Sequence, residues 1–211
     1  DALSSQQQVL DAVMSQVGAR TRVVAFSELS NISGIRLPAK ALCTAIHEHN
    51  PDILVHVDGA QSWGSLDLNL AEMGCDSFSA SSHKWFMGPR GTGILFVRKK
   101  WAERIWPSTL GYDFLLDYPM EELPDNARRF ECIGQRDVAP YAAIGDCVAL
   151  YRQLGGSPAI EQGIRALTVH AIKALDRAGI GERLRVINLS SRTTVTATVV
   201  SVGLAEVTSG F

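Results

Sequence analysis

Residues 53–59 have the sequence ILVHVDG and decide the fold. Their side chains are almost continuously apolar and rich in β-branched types, which is typical of a strand covered by helices on both faces. Residues 22–27, RVVAFS, form a similar run. Between the two runs, Pro38 begins a stretch with helical apolar spacing that extends to about residue 49. Strand, helix and strand in this order indicate a parallel sheet.

Two further strands are predicted downstream, at residues 76–81 and 92–97. Only ten residues, 82–91, separate them, which is short for the crossover that a parallel pair needs. We therefore expect this last pair to be antiparallel. The predicted fold class is α/β, with a mostly parallel sheet that has one antiparallel strand and is flanked by helices, plus part of a smaller α+β domain.

The rest of the chain is assigned from its apolar periodicity. Helices are predicted at residues 9–17, 68–73, 138–154 and 158–177, and strands at residues 185–189 and 194–202. Residues 101–136 mix aromatic, proline and charged residues without a clear period, as a long functional loop or domain connection does. We expect residues 1–136 to belong to a large domain, and residues 137–211 to hold connecting helices and part of a small C-terminal domain.

The composition excludes several classes of protein. Of 211 residues, 46% are hydrophobic, and 20 Lys and Arg balance 22 Asp and Glu to a net charge of -2. These values are typical of a soluble globular protein and give no basic patch for nucleic acid or an anionic membrane. No apolar stretch reaches the roughly 18 residues of a spanning helix, and the first residues, DALSSQQQ, do not resemble a signal peptide.

The cysteines and histidines predict neither disulfides nor a metal site. The four cysteines form no CxxC pair, so we expect them to be reduced and buried in a cytoplasmic protein; they are Cys43, Cys75, Cys132 and Cys147. His47, Glu48 and His49 are adjacent on a predicted helix, where their side chains diverge, and a solvated helix face is favoured. For His56, a hydrogen-bonded structural role is favoured over zinc ligation.

Polar side chains follow each of the first three predicted strands. Asn31 follows the first, Asp58 and Gln61 follow the second, and Ser81, His83 and Lys84 follow the third. Ligands of open α/β sheets gather at the carboxyl ends of the strands, so we expect these side chains to converge on one edge. Asp58 and Lys84 are 26 positions apart, the length of one crossover helix and one strand, which places them at neighbouring strand ends.

Lys84 is the candidate nucleophile of this set. Its neighbours Trp85 and Phe86 predict desolvation, and His83 supplies partial positive charge, so the amine is expected to be more nucleophilic than usual. Such an amine forms a Schiff base with an aldehyde. The alternative is that Lys84 is a solvated loop lysine and Asp58 caps its strand, and the spacing alone leaves both open.

A family resemblance favours the first alternative. Residues 58–61, 81–85 and 88–93 have the sequences DGAQ, SSHKW and GPRGTG, which are similar to motifs of class V aminotransferases, pyridoxal-phosphate enzymes of fold type I. The resemblance covers about residues 20–155. Residues 134–137, GQRD, followed by an apolar helix, are similar to the isopenicillin N epimerase-like branch. The chain resembles a central fragment of such an enzyme, because the family's upstream phosphate loop and ring-stacking aromatic residue are absent from it.

The resemblance implies a role for each residue of the set. Lys84 would bind pyridoxal 5'-phosphate covalently and act as the base for the substrate's α-proton, and Asp58 would pair with the pyridine nitrogen. The phenolic oxygen would be bound by Asn31 and Gln61, and the phosphate by Ser81 and His83. Gln135 stands where the family has a threonine that reaches the phosphate in the neighbouring subunit. Arg136 is the candidate for the substrate carboxylate.

The implied function is pyridoxal-phosphate chemistry on an amino acid, with an epimerase or carbon–sulfur lyase expected first. Cysteine desulfurase and aminotransferase are the alternative enzyme activities. A desulfurase needs a persulfide-carrying cysteine on a small-domain loop, and none of the four cysteines occurs in such a context. An inactive, truncated structural or interaction module is the remaining alternative, although a scaffold has no need of the whole residue set. The family's site lies at a subunit interface, which implies a homodimer.

Overall fold

The computed structural model describes residues 5–105, 130, 137–176, 179–187, 194–201 and 204–207. The chain divides into two compact units, Asp1–Ile160 and Glu161–Phe211. The domain boundary expected between residues 136 and 137 adjoins a stretch outside the described residues and stays a prediction. None of the described helices combines the length and the apolar character that a membrane-spanning segment requires.

A four-stranded sheet forms the centre of the first unit. Its strands, in spatial order, are β1 (Val23–Ser27), β2 (Leu54–Asp58), β3 (Ser77–Ser81) and β4 (Gly93–Val97). The first three strands are parallel, and β4 is antiparallel to β3. Both features confirm the prediction, and the physical reason for the second is the short link between β3 and β4, which is too short for a parallel crossover.

The described helices are α1 (Gln6–Met14), α2 (Ala39–His49), α3 (Leu70–Met73), α4 (Lys99–Ala102), α5 (Ala139–Gln153) and α6 (Gly156–Asp176). Local signals fix several of their ends. Ser5 and Gln8 form a capping box at α1. Asn69 caps α3, which ends at Gly74 in the left-handed conformation at φ 82°. Helix α4 is not predicted, because it overlaps the start of the stretch without a clear period.

The core of the first unit lies on one face of the sheet. Val55, Val57 and Phe78 are fully buried there against Leu42 and Ile46 of α2. The alternate residues of the strands point to the opposite face. The sheet is flanked by helices, as predicted. On the face away from α2, which we call the open face, Val23 of β1 and Leu95 of β4 are more than half exposed.

The second unit contains a three-stranded antiparallel sheet. Its strands are β5 (Arg183–Ile187), β6 (Thr194–Ser201) and β7 (Leu204–Val207), in that order. Strand β5 begins two residues before its predicted start, and β7 is not predicted because a four-residue segment carries too short a pattern. Ala197 and Val199 on β6 are buried, as the α+β prediction requires of a central strand.

Candidate active site

Asp58 ends β2 on the open face of the sheet. In the register of the sheet it pairs with Ser27 on one side and Ser79 on the other. The Ser27 hydroxyl donates to Oδ2 of Asp58 at 2.9 Å, and the Ala60 backbone N–H donates to Oδ1 at 2.8 Å. The carboxylate is therefore held in one orientation, and it is only half-buried.

The chain turns sharply after Asp58 because Gly59 leaves room for the neighbouring strand. The Gly59 N–H donates to the Ser79 carbonyl at 2.8 Å. A Cβ atom on Gly59 would lie 1.8 Å from the Phe78 ring, so no side chain fits there. This close approach brings the following turn, which contains Gln61, against the end of β3.

Residues 82–92, which we call the Lys84 loop, connect β3 to β4. The side chain of Lys84 is exposed, and its backbone carbonyl accepts a hydrogen bond from Met87 N–H at 3.0 Å. Met87 has the left-handed φ of 59°, which is uncommon for a residue other than glycine. The loop thus presents the lysine outward from a tightly folded backbone.

Two contacts join the Lys84 loop to the turn after β2. The Trp85 indole N–H donates to the Gln61 side-chain oxygen at 3.1 Å. Phe86 is buried and stacks on Trp63, with ring centroids 4.3 Å apart and planes at 12°. A Cβ atom on Gly64 would lie 2.4 Å from the backbone nitrogen of Phe86, so the two segments touch along their main chains.

Helix α5 also contacts the Lys84 loop. The Tyr151 ring lies 5.3 Å from Phe86, and its hydroxyl donates to the Gly64 carbonyl at 3.0 Å. Burial raises the pKa of Tyr151, and the charge of Asp67 raises it further. The phenol therefore stays protonated and available as a donor. The sequence predicts neither a role for Tyr151 nor its contact with Phe86. In the sequence Tyr151 is only one of many apolar positions in a predicted helix.

The structure brings part of the predicted set together. Asp58, Gln61 and Ser81 lie at the carboxyl edge of the sheet, and the Lys84 loop begins there. Asn31 is exposed in the turn after β1, four residues beyond the end of that strand, and His83 is exposed beside Lys84. Gln135 and Arg136 lie outside the described residues.

The aromatic neighbours of Lys84 predict that its amine is shielded from water. Among the described residues nothing shields it in this way, so the prediction is wrong there. Phe86 turns inward onto Trp63, and Trp85 is 48% exposed over Gln61, so neither ring covers the amine. The sequence supplies the aromatic residues but not their directions, and alternate residues of a tight loop point to different sides.

His56 lies on the same strand face as Asp58, two residues before it. Its Nδ1 is 2.8 Å from the Ser77 hydroxyl and its Nε2 is 3.2 Å from the Ser79 hydroxyl. Both ring nitrogens therefore have partners, in agreement with the structural role favoured from sequence. Among the described residues, no group of three or more His, Cys, Asp or Glu side chains could hold a metal ion.

At the opposite end of the sheet, Asp76 precedes β3 and is fully buried. His47 Nε2 lies 2.7 Å from its Oδ2, Lys100 Nζ lies 3.0 Å from its Oδ1, and the Val55 N–H donates to Oδ2 at 3.0 Å. Burial alone would raise the pKa of Asp76, but these partners outweigh it and the pKa lies below its ordinary value. The expectation of a solvated His47 is therefore wrong, because a buried carboxylate draws this side chain inward.

The described cysteines divide between the two ends of the sheet. Cys43 and Cys75 are free and buried near Asp76, and burial raises the pKa of their thiols to about 12 and about 11. Cys147 is free but only half-buried, and its Sγ lies 3.6 Å from the Met87 carbonyl. The expected burial is wrong for Cys147, because it contacts the Lys84 loop rather than the core. Cys132 lies outside the described residues.

Comparison with known proteins places the chain in a family. The family model "Aminotransferase class-V" matches residues 2–209. Isopenicillin N epimerase from Streptomyces clavuligerus is 33% identical over 187 residues, which are 83% of this chain and 46% of that protein. A probable cysteine desulfurase from Halalkalibacterium halodurans is 35% identical over 120 residues, 54% of this chain and 29% of that protein. The chain spans less than half the length of these curated relatives.

Solved structures share the fold. A complex of the cystine C–S lyase C-DES with its reaction product, cysteine persulfide, superposes with a TM-score of 0.73 at 23% identity, and the match covers 90% of this chain and 51% of that one. Apo cysteine desulfurase from Thermococcus onnurineus superposes with a TM-score of 0.66 at 19% identity, covering 92% and 46%. The fold, the motif residues and the family model agree: the chain belongs to the class V aminotransferase family, whose members are pyridoxal-phosphate-dependent enzymes.

Proposed function

We propose that this chain carries the cofactor lysine of an enzyme that acts on an amino acid as an epimerase or a carbon–sulfur lyase. One observation carries the proposal. Asp58 and the Lys84 loop follow neighbouring parallel strands at one edge of the sheet, and the hydrogen bond between Trp85 and Gln61 ties the loop to the turn after Asp58.

The side chains at this edge fit pyridoxal phosphate. The aldehyde needs an accessible amine, and Lys84 is exposed. The protonated pyridine nitrogen needs a carboxylate, and the Asp58 carboxylate is fixed on the open face by donors to both of its oxygens. The phosphate needs hydroxyl and N–H donors, which Ser81 and His83 can supply at the end of β3 and in the loop.

Each residue then has a defined task. Asp58 holds the ring nitrogen in its protonated form, and when bound the cofactor accepts the electron pair left by a broken bond at the substrate's α-carbon. Lys84 would hold the cofactor through its amine, and the same amine, when free, would take or return the proton at the substrate's α-carbon. Gln61 and Asn31 would bind the phenolic oxygen. Gln135 and Arg136 are proposed for the phosphate across a homodimer interface and for the substrate carboxylate.

The choice of reaction rests on the relatives. The epimerases match over most of this chain, and the C–S lyase shares its fold. Cysteine desulfurase is the second candidate, because relatives with that name match 54% and 80% of this chain. Cys43 and Cys75 are buried in the core, where a thiol is unsuited to carrying sulfur. An aminotransferase, or a non-catalytic module, is the remaining alternative, and the proposed compartment is the cytoplasm.

The test is to incubate the chain with pyridoxal phosphate, reduce the mixture with borohydride and map the modified peptide by mass spectrometry. We expect one pyridoxyl adduct on Lys84 and none at this peptide in Lys84→Arg, which keeps the charge but is not a nucleophile at neutral pH. Lys40→Arg is the matched control, since Lys40 is an exposed lysine on α2. Equal modification of exposed lysines in all three proteins would refute the proposal.

A further inference from the structure

Two buried hydroxyl groups close the base of the Lys84 loop. Ser82 is fully buried and Thr92 is 6% exposed. Their oxygen atoms, Oγ of Ser82 and Oγ1 of Thr92, are in hydrogen-bond contact across the two ends of the loop. We call this pair the hydroxyl clasp.

Both hydroxyls of the clasp also reach the Pro89 carbonyl. Each hydroxyl has one proton to donate and can accept two hydrogen bonds. The Thr92 hydroxyl lies 2.8 Å from this carbonyl and the Ser82 hydroxyl lies 3.3 Å from it. Either hydroxyl can be the donor in the contact between them, so the two side chains and the carbonyl form one hydrogen-bonded group.

The backbone of the loop is built around the same residues. Ser82 N–H donates to the Thr92 carbonyl at 3.1 Å, and Gly88 N–H donates to the Ser82 carbonyl at 2.7 Å. A Cβ atom on Gly88 would lie 2.6 Å from the Cβ of Ser82, so the chain passes directly over this serine. The left-handed Met87 lies between Gly88 and Lys84, and its strain is tolerated only where the surroundings hold it.

We propose that Ser82 and Thr92 are positioning residues that fix the place of the Lys84 amine. The inference rests on the proposed function of Lys84. Among the described residues, no hydrogen-bond partner holds the Lys84 amine, so its place is set by the loop backbone. Because Lys84 is two residues from Ser82, a shift of the clasp moves the root of the lysine side chain relative to Asp58.

The experiment uses the full chain and four single variants. Thr92→Val keeps the shape of the side chain but removes its hydroxyl. Ser82→Ala removes the other hydroxyl of the clasp, and Thr92→Ser keeps a hydroxyl at position 92. Thr168→Val is the matched control, because the Thr168 hydroxyl donates to the Ile164 carbonyl on exposed helix α6. We measure the rate of pyridoxyl adduct formation at Lys84 across pH, the thermal midpoint, and amide hydrogen exchange of Met87 and Gly88.

We expect Thr92→Val to slow adduct formation by about tenfold, since a displaced reacting group loses rate steeply. Ser82→Ala is expected to slow it by about threefold, while Thr92→Ser and Thr168→Val stay within about twofold of the original chain. Exchange at Met87 and Gly88 should accelerate by about tenfold in Thr92→Val, with the α2 amides unchanged. A purely structural role would lower the thermal midpoint and leave the adduct rate of the folded protein unaltered.

The proposal is overturned if folded Thr92→Val forms the Lys84 adduct at the rate of the original chain, whether or not its amide exchange changes. If Thr92→Val does not fold, Ser82→Ala decides, with the same two readouts and the same criterion. If the original chain forms no adduct on Lys84, the proposed function fails. The exchange measurement then still decides whether the clasp holds the loop, so the two failures are distinguishable.

Discussion

The two ends of the central sheet each hold an aspartate, and the fold treats them differently. Asp76, at the amino end, is fully buried and has a histidine, a lysine and a backbone N–H around it. Asp58, at the carboxyl end, is half-buried, and its two donors are a serine hydroxyl and the N–H of the following turn. One carboxylate faces the interior and the other faces the open side of the sheet.

The difference shows how a structural carboxylate is distinguished from an available one. The partners of Asp76 come from α2, β2 and α4, so its charge joins three elements. The partners of Asp58 come from β1 and its own turn, and they orient the group without enclosing it. A buried carboxylate with several partners stabilises the fold, whereas an oriented and open one can bind a ligand.

The largest expected effect is on stability, and it separates the buried Asp76 from the open Asp58. Asp76→Ala should lower the free energy of unfolding by about 3 kcal/mol, because it leaves His47 and the buried Val55 N–H without their acceptor. Asp58→Ala should cost less than about 1 kcal/mol, since the exposed Ser27 hydroxyl can bond to water instead. Denaturant titration of the two variants measures both values.

The two substitutions are expected to affect cofactor binding in the reverse order. Asp58→Ala should abolish most of the adduct at Lys84, and Asp76→Ala should retain it under conditions in which the variant is folded. A larger loss of stability from Asp58→Ala than from Asp76→Ala would contradict the division of roles between the two ends.

Acid is expected to lower the stability of the folded chain by a smaller amount. The pKa of Asp76 in the folded chain lies below its ordinary value of 3.8, so the folded state binds fewer protons there than the unfolded state. The stability that Asp76 contributes is complete above that ordinary value and is lost as the pH falls through the lower folded pKa. Unfolding at a series of pH values from 6 to 2 should show this loss, and Asp76→Asn should show a shallower one.

Thiol labelling probes the ends of the sheet without changing the sequence. Cys43 and Cys75 at the amino end should resist alkylation at neutral pH, because burial shields them and keeps the thiols protonated. Cys147, half-buried against the Lys84 loop, should react first of these three. Mass spectrometry of the labelled peptides gives the order, and labelling of Cys43 before Cys147 would contradict a sealed amino end.

Much of the fold of the first unit was predictable because its strands carry dense and unambiguous patterns. Residues 53–59 combine β-branched side chains with a Gly stop, and the ten-residue link fixed the direction of β4. The open face of the sheet was not predictable, since residues 53–57, with only His56 polar among them, resemble a strand covered on both sides. Strand β7 was too short to give a period, and helix α4 overlaps the stretch in which no period was found.

The sequence predicted which strand ends carry the candidate residues, but not the geometry around them. Strand order and the rule for carboxyl ends placed Asp58 and Lys84 at one edge. The direction of Phe86, the Ser82 and Thr92 contact and the approach of Tyr151 depend on tertiary packing between segments up to 87 positions apart. His47 shows the same limit, because the carboxylate that binds it lies 29 positions away.

The missing side chain of Gly59 has a consequence for relatives of this protein. Since the ring of Phe78 fills the space that a methyl group at position 59 would need, the two positions share one volume. An alanine at position 59 therefore requires a slimmer side chain at position 78, and substitutions at the two sites should covary. A paired change could be tolerated where the first change alone is not, so the link between these strands constrains how the family can diversify around its carboxylate.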